Sequence, residues 1–285
     1  MIRLVEMGPR DGLQNEPRHV PVDVKVAFID ALSESGLEEI EVSAFVSARA
    51  IPQLADAGEV FAAIRRRPGV VYSALVPNER GLERALLARA DKVAVFTAAS
   101  ETFNRHNIHA GIQESFDRFK PVIEGARRAR LPVRGYVSTA FWCPYEGKIA
   151  PETVVEVIRR LDALGVDEVS VGDTIGKAVP EEVNRLLDLL LAHLPAPKIA
   201  MHFHDTYGHA VENVLAAFAR GITIFDASTG GIGGCPYAPG ASGNVSMERV
   251  IAALKGAGVE VTVDSGALAK ARDVIEPSLG RELGT

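Results

Sequence analysis

An α/β fold, a TIM (β/α)8 barrel with a short C-terminal helical extension, is what this sequence predicts, and three observations predict it. Eight short apolar runs of strand length recur along the chain. Longer stretches with helical spacing lie between them, the alternation that produces βαβ units and a parallel sheet. The length of 285 residues suits one barrel, and no GxGxxG follows the first run, which weakens a dinucleotide-binding open sheet.

In chain order the expected strands are Ile2–Glu6, Glu39–Ser43, Val70–Leu75, Lys92–Phe96, Val133–Ser138, Glu168–Val171, Lys198–Phe203 and Thr223–Ala227. Between the first two, "PVDVKVAFIDALSESG" places Val24, Phe28, Ile29 and Leu32 on one helical face and ends near Gly36. Before the sixth, "PETVVEVIRRLDALG" starts with Pro151 in a first-turn position and stops at Gly165. "PEEVNRLLDLLLAHL" repeats that form after Pro180. One domain is expected over residues 1–285, with the barrel to about residue 258 and a helical extension over 259–285.

Hydrophobic residues at 47% supply a core, and 24% charged residues are ordinary for a soluble chain. The net charge of −6 argues against nucleic acid or an anionic membrane surface, which favour a basic face. No apolar run approaches about 20 residues, so no membrane span is expected. "MIRLVEMGPRDG" enters a strand at once and does not read as a signal peptide. Cys143 and Cys235 make no disulfide framework, and a reducing cytoplasm is the expected compartment.

In such a barrel the chemistry lies at the C-terminal ends of the strands. Polar residues gather there from six of the eight. The first strand leads to Arg10, Asp11 and Gln14 in "EMGPRDGLQNE", and the second holds Glu41. The fifth leads to "STAFWCPYEGK", and the sixth, with Ser170, to Asp173 in "SVGDTIGK". The seventh is "MHFHD", and the eighth leads to "STGGIGGCPYAPGASGN" with Cys235 and Asn244.

Several of these residues admit two readings. Alternate strand residues point to one side, so His202 and His204 are either a metal-binding face or hydrogen-bonded barrel wall. Asp11 and Asn244 at other strand ends favour the metal. Asp205 reads as the N-cap of a helix starting near Gly208. "PRDG" is also good turn chemistry, Glu41 also suits an ordinary ion pair, and Asp173 also suits a helix cap. Cys143 reads as a packed thiol. Cys235, in a glycine-rich loop, reads as a thiol able to reach a substrate.

Taken together, "GPRDGLQNE", "GDTIG", "HFHDTYGHA" and "GGIGGCPYAPGASGN" resemble the motifs of the 3-hydroxy-3-methylglutaryl-CoA lyase family, within a wider group of TIM-barrel metal-dependent lyases and Claisen-type synthases. The resemblance runs from about Arg3 to about Gly258, and the cysteine loop is its most specific part. It implies retro-Claisen cleavage of 3-hydroxy-3-methylglutaryl-CoA to acetyl-CoA and acetoacetate, as in leucine degradation. Two alternatives are a lyase for a longer 3-substituent and a synthase joining an acyl-CoA to a 2-oxo acid. It further implies a divalent cation, Mg²⁺ or Mn²⁺, no organic cofactor, an acyl-CoA substrate and a homodimer. Asp11, His202, His204 and Asn244 match the metal ligands. Arg10, Glu41, Asp173, His202 and Cys235 match catalytic positions, with Arg10 beside the reacting carbonyl and Cys235 in acid/base chemistry. Arg10, Gln14, Ala44 and Ser170 are the expected substrate contacts. The chain departs from the family in having Ala44 for a serine and Pro17, then Arg18, for a lysine. The first bears on the acyl group and the second on the CoA phosphates.

Overall fold

The computed structural model describes residues 2–235 and 238–284, with the side chains of 234–242 outside that description. Eight parallel strands close into a barrel. They are β1 (Arg3–Glu6), β2 (Glu39–Ala44), β3 (Val71–Leu75), β4 (Lys92–Ala98), β5 (Val133–Ser138), β6 (Glu168–Asp173), β7 (Ile199–Phe203) and β8 (Ile224–Ala227). The ring closes where β1 pairs with β8, from Arg3 opposite Ile224 to Glu6 opposite Ala227.

The helices α1 (Val22–Ser33), α2 (Ala57–Ala63), α3 (Glu79–Leu87), α4 (Glu101–Ile108), α5 (Ile112–Arg128), α6 (Pro151–Leu164), α7 (Pro180–Leu190), α8 (Ala210–Ala219) and α9 (Met247–Gly256) follow the strands. Their apolar faces make the larger core, between helices and sheet. On α1 it takes Phe28, Ile29 and Leu32, with Val24 half-buried at its margin. α6 begins at Pro151, and Gly165 ends it at φ 90°, a left-handed cap that glycine adopts without steric penalty. Among the described residues no helix is long and apolar enough to cross a membrane.

Three strands run further than their apolar patterns. β2 reaches Ala44, β4 reaches Ala98 and β6 reaches Asp173. Hydrophobic alternation stops where side chains turn polar, but the backbone ladder continues, as in the register of Asp173 with Phe203. Polar groups at these ends are therefore held by strands, which fix them better than loops do.

The extension is shorter than its sequence suggests. Residues 259–264 form no helix, and α10 (Ser265–Leu279) starts after Asp264, whose carboxylate accepts from Gly266 and Ala267. The β-branched Val259, Val261, Thr262 and Val263 disfavour an earlier start, and Asp264 supplies the cap that sets the later one. α10 packs against α1.

Inside the barrel, Val5, Met7, Ala44, Leu75, Ala94 and Ala200 form a smaller apolar layer. Below it, at the N-terminal ends of the strands, Lys92 lies 3.0 Å from Glu39 and 3.1 Å from Glu168. Burial pulls the Lys92 ammonium down to about 8 against the pull of Glu39. Above the layer, at the C-terminal ends, lies a cavity of about 1150 Å³.

Candidate active site

The segment after β1 is a π-helical turn, Gly8–Gly12, in which the Gly12 amide reaches the Met7 carbonyl at 3.1 Å. Such single turns recur at functional sites because they re-aim neighbouring side chains. Here Arg10 and Asp11 point into the barrel mouth. The turn must also pass close to the segment after β8. A Cβ on Gly12 would lie 2.9 Å from Ile232, so only glycine fits without displacement. Behind the turn, the fully buried Glu6 carboxylate accepts from Gly8 at 2.7 Å and from the Thr229 amide at 3.0 Å. It thereby ties together the roots of both segments. Burial raises its pKa to about 7, although the Thr229 and Gly8 donors resist the shift.

Arg10 is only 7% exposed. Its Nε donates to Glu41, its Nη1 donates to Asp11 at 2.6 Å, and its guanidinium lies 5.4 Å from the Tyr136 ring centroid. Glu41 is fully buried on β2 and also accepts from the Tyr136 hydroxyl at 3.1 Å. The pairing of β2 with β3 shifts register between Glu41 and Ser43, a bulge of the kind that redirects side chains beside active sites. The ion-pair reading of Glu41 thus describes its contacts, and its partner is the arginine of the candidate site.

Asp11, His202 and His204 bring one ligand atom each to within 4.8 Å of one another. Each imidazole Nε2 lies 3.9 Å from Asp11 Oδ2, and the two rings sit side by side with centroids 5.2 Å apart. His204 forms a bridge with Asn244 across the mouth, and Asn244 Nδ2 donates to Asp11 at 3.0 Å. Burial works against the Asp11 charge, but Arg10 and the two imidazoles outweigh it and hold the carboxyl at about 2. Burial and the neighbouring His202 push His204 down to about 4, so it is neutral at pH 7.

These residues fit a divalent cation. Asn244 Oδ1 is buried and has no hydrogen-bond partner, the sign of a carbonyl oxygen prepared for another ligand. One carboxylate, two imidazoles and an amide oxygen are a mixed oxygen and nitrogen donor set of the kind that suits a divalent cation.

Asp173, at the end of β6, is fully buried and does not cap α7. Both carboxylate oxygens accept backbone amides of the connection, Lys177 at 3.2 Å and Ala178 at 2.9 Å. Burial raises it to about 6 in spite of those donors. Asp205 is also not the N-cap, because α8 starts at Ala210 with His209 in the cap position. It reaches the helix from further back, accepting from the Ala210 amide at 3.1 Å, and it pairs with Arg249. The two extra residues of approach are taken up by the turn before His209. Cys143 is a packed thiol, 2% exposed and 3.1 Å from the Ser100 hydroxyl. The side chain of Cys235 lies outside the described residues.

The expected substrate contacts divide. Gln14 lines the cavity. Ser170 faces its floor but donates its hydroxyl to Asp226 at 2.8 Å. Ala44 is fully buried in the apolar layer and is not part of the cavity wall, which Val46, Ile51, Leu75 and Phe96 supply on that side. A hydroxyl at position 44 would meet packed apolar atoms and not a ligand. Ala44→Ser is therefore expected to leave the ratio of kcat/KM between a methyl substrate and a longer 3-alkyl homologue unchanged. Steady-state kinetics on both substrates check this, and a shifted ratio would bring residue 44 back to the pocket.

Sequence reasoning passed over Tyr136, Arg134 and Asp226. Tyr136 has two guanidiniums beside its ring, Arg10 at 5.4 Å and Arg134 at 5.1 Å from the centroid. Asp226 holds Arg134 at 2.7 Å. The available signal was a charged residue inside an otherwise apolar strand run, in "VRGYVS" and "TIFDA".

Comparison with known proteins adds the following. The sequence profile of the HMGL-like family matches residues 1–275. A Pseudomonas aeruginosa protein named 3-hydroxy-3-isohexenylglutaryl-CoA/hydroxy-methylglutaryl-CoA lyase is 48% identical over 100% of this chain and 95% of its own. The crystal structure of the HMG-CoA lyase from Brucella melitensis superposes with a TM-score of 0.96 at 47% identity, covering 98% of this chain and 99% of that one. An Acinetobacter baumannii HMG-CoA lyase, solved in complex with coenzyme A and 3-methylmalate, superposes with a TM-score of 0.95 at 37% identity, covering 100% of this chain and 93% of that one.

Proposed function

The chain belongs to the HMGL-like family of 3-hydroxy-3-methylglutaryl-CoA lyases, and from that premise we propose how its side chains divide the work. The reaction is cleavage of 3-hydroxy-3-methylglutaryl-CoA to acetyl-CoA and acetoacetate. It needs a base for the tertiary hydroxyl, positive charge for the enolate formed as the carbon–carbon bond breaks, and an acid for the enolate carbon. One observation carries the assignment: the Arg10–Glu41 pair and the cluster of Asp11, His202 and His204 meet at one cavity mouth.

Asp11, His202, His204 and Asn244 would hold a divalent cation, Mg²⁺ or Mn²⁺, which when bound would make the substrate hydroxyl more acidic. Arg10 meets the charge that develops on the thioester oxygen. Its setting supports this, because Glu41, Asp11 and the Tyr136 ring fix the guanidinium before substrate arrives. Asp173 is assigned the hydroxyl proton, with His202 alongside, on the resemblance of "GDTIG", since its fully buried carboxylate is not itself part of the cavity wall. Its pKa of about 6 suits a base working near neutrality, and an ionised carboxylate has acceptor capacity beyond two backbone amides. Cys235 gives a proton to the enolate carbon. That assignment is supported by the resemblance of the glycine-rich loop. Gln14 contacts the substrate at the cavity wall.

The apolar wall of Val46, Ile51, Leu75 and Phe96 favours a second reading, in which a longer 3-alkyl group is also accepted. Each added methylene in such a pocket changes specificity by about 1–3 kcal/mol at most. A cytoplasmic location, a role in leucine breakdown and a dimer complete the proposal.

Acetoacetate and acetyl-CoA are expected in equal amounts from 3-hydroxy-3-methylglutaryl-CoA with Mn²⁺, and a chelator is expected to abolish both. Release of free thiol from acetyl-CoA plus a 2-oxo acid, with no acetoacetate from the lyase substrate, would establish a synthase instead.

A further inference from the structure

Behind the metal-binding face lies a buried carboxylate to which the assignments above give no role. Asp226 on β8 is 1% exposed and fully engaged. Its Oδ1 accepts from Arg134 Nη2 at 2.7 Å. Its Oδ2 accepts from the Ser170 hydroxyl at 2.8 Å and lies 3.3 Å from His202 Nδ1. Arg134 is itself buried and ion-paired, with Nη1 3.4 Å from the Tyr136 hydroxyl and Nε 2.9 Å from Glu168. Arg134 and Ser170 thus hold the carboxylate beside the ring.

The two imidazoles differ in this respect. His202 has a carboxylate on its Nδ1 side and Asp11 3.9 Å from its Nε2. The Nδ1 of His204 is buried with no hydrogen-bond partner. A neutral imidazole places its one proton on the nitrogen that faces an acceptor, leaving the lone pair on the other. We propose that Asp226 is a positioning residue: held by Arg134 and Ser170, it keeps the His202 proton on Nδ1 and so presents the Nε2 lone pair to the cation. The inference rests on the reading of His202 as a ligand. Partners of this kind typically alter metal affinity 10–100-fold.

Asparagine at this position separates the possibilities. It has one acceptor oxygen where aspartate has two. Arg134 has only donors to offer, so the oxygen stays on its side. The amide NH₂ then faces Ser170 and His202, and His202 must accept at Nδ1 and carry its proton on Nε2. In metal-free protein with ¹⁵N-labelled histidine at mildly alkaline pH, His202 is expected as the Nδ1–H tautomer in the native chain. In Asp226→Asn it is expected as Nε2–H, with the His204 signal unchanged. Mn²⁺ binding by calorimetry is expected to weaken about 10–100-fold. A native tautomer in the variant, or unaltered Mn²⁺ affinity with the tautomer changed, overturns the proposal. A lower melting temperature alone, which a structural role predicts, also overturns it. Where Asp226→Asn does not fold, the native spectrum decides, since an Nε2–H signal for His202 there is incompatible with the proposal. His202→Ala isolates the underlying reading: Mn²⁺ affinity equal to native shows that His202 is not a ligand, whatever its tautomer.

Discussion

Arg10→Gln is expected to lower kcat by about 10²–10³ and to leave KM nearly unchanged. The guanidinium is held by Glu41 and Asp11 before substrate arrives, so its donors reorganise little during the reaction. The charge they meet is largest in the transition state, so the loss falls on turnover. Stability is expected to fall as well. Burial already pushes the Glu41 carboxyl up against the pull of Arg10, and without that cation it takes up a proton. A lower melting temperature therefore does not separate a catalytic from a structural role, but kcat does. In Arg10→Gln/Glu41→Gln the buried pair is gone from both sides. That variant is expected to recover much of the lost stability and none of the lost turnover. Normal kcat in a folded Arg10→Gln protein would reduce Arg10 to a turn residue.

The second large effect is expected at His204. The residue is 9% exposed, its pKa of about 4 keeps the ring neutral at pH 7, and its Nδ1 has no hydrogen-bond partner. Truncation breaks no internal hydrogen bond of the ring, so thermal unfolding of the metal-free His204→Ala protein is expected within a few degrees of native. Mn²⁺ affinity is expected to fall by more than the 10–100-fold typical of an outer partner, and activity with it. Stoichiometric Mn²⁺ after gel filtration of this variant would sink the ligand assignment.

What could be read in advance follows from physical range. Hydrophobic period needs only neighbours in sequence, so the eight strands and the Pro151 and Pro180 helix starts were legible to within a few residues. The placement of His202 and His204 on one side follows from strand alternation. Asp226 was not legible as a site residue. One acidic residue in an apolar strand signals a partner, but Arg134 is 92 positions away and only the closed barrel joins them. Ala44, expected as a substrate contact, lies in the inner apolar layer, and a related reason kept that depth out of view. A strand residue has two faces, and sequence does not say how deep in the barrel the apolar layer stops and the cavity begins. Asp205 and Asp173 show that carboxylates near a helix start can serve the connection preceding it, a distinction set by two or three residues of backbone path.

The junction of β1 with β8 has a kinetic meaning. It joins the two ends of the barrel sequence, and the contact of Asp11 with Asn244 spans 233 positions. Contacts of such separation form late in folding, after shorter loops have closed. The four residues Asp11, His202, His204 and Asn244 straddle this junction, so a cation bound by all of them acts as a clasp on a finished ring and has little to grip beforehand. At a concentration a hundred times its dissociation constant it would add about 2.7 kcal/mol to the native state alone. Energy gained after the transition state appears in the unfolding rate, which would slow by roughly a hundredfold while refolding keeps its pace. With that cation bound, the chemistry of the mouth and the lifetime of the folded ring would depend on the same four side chains.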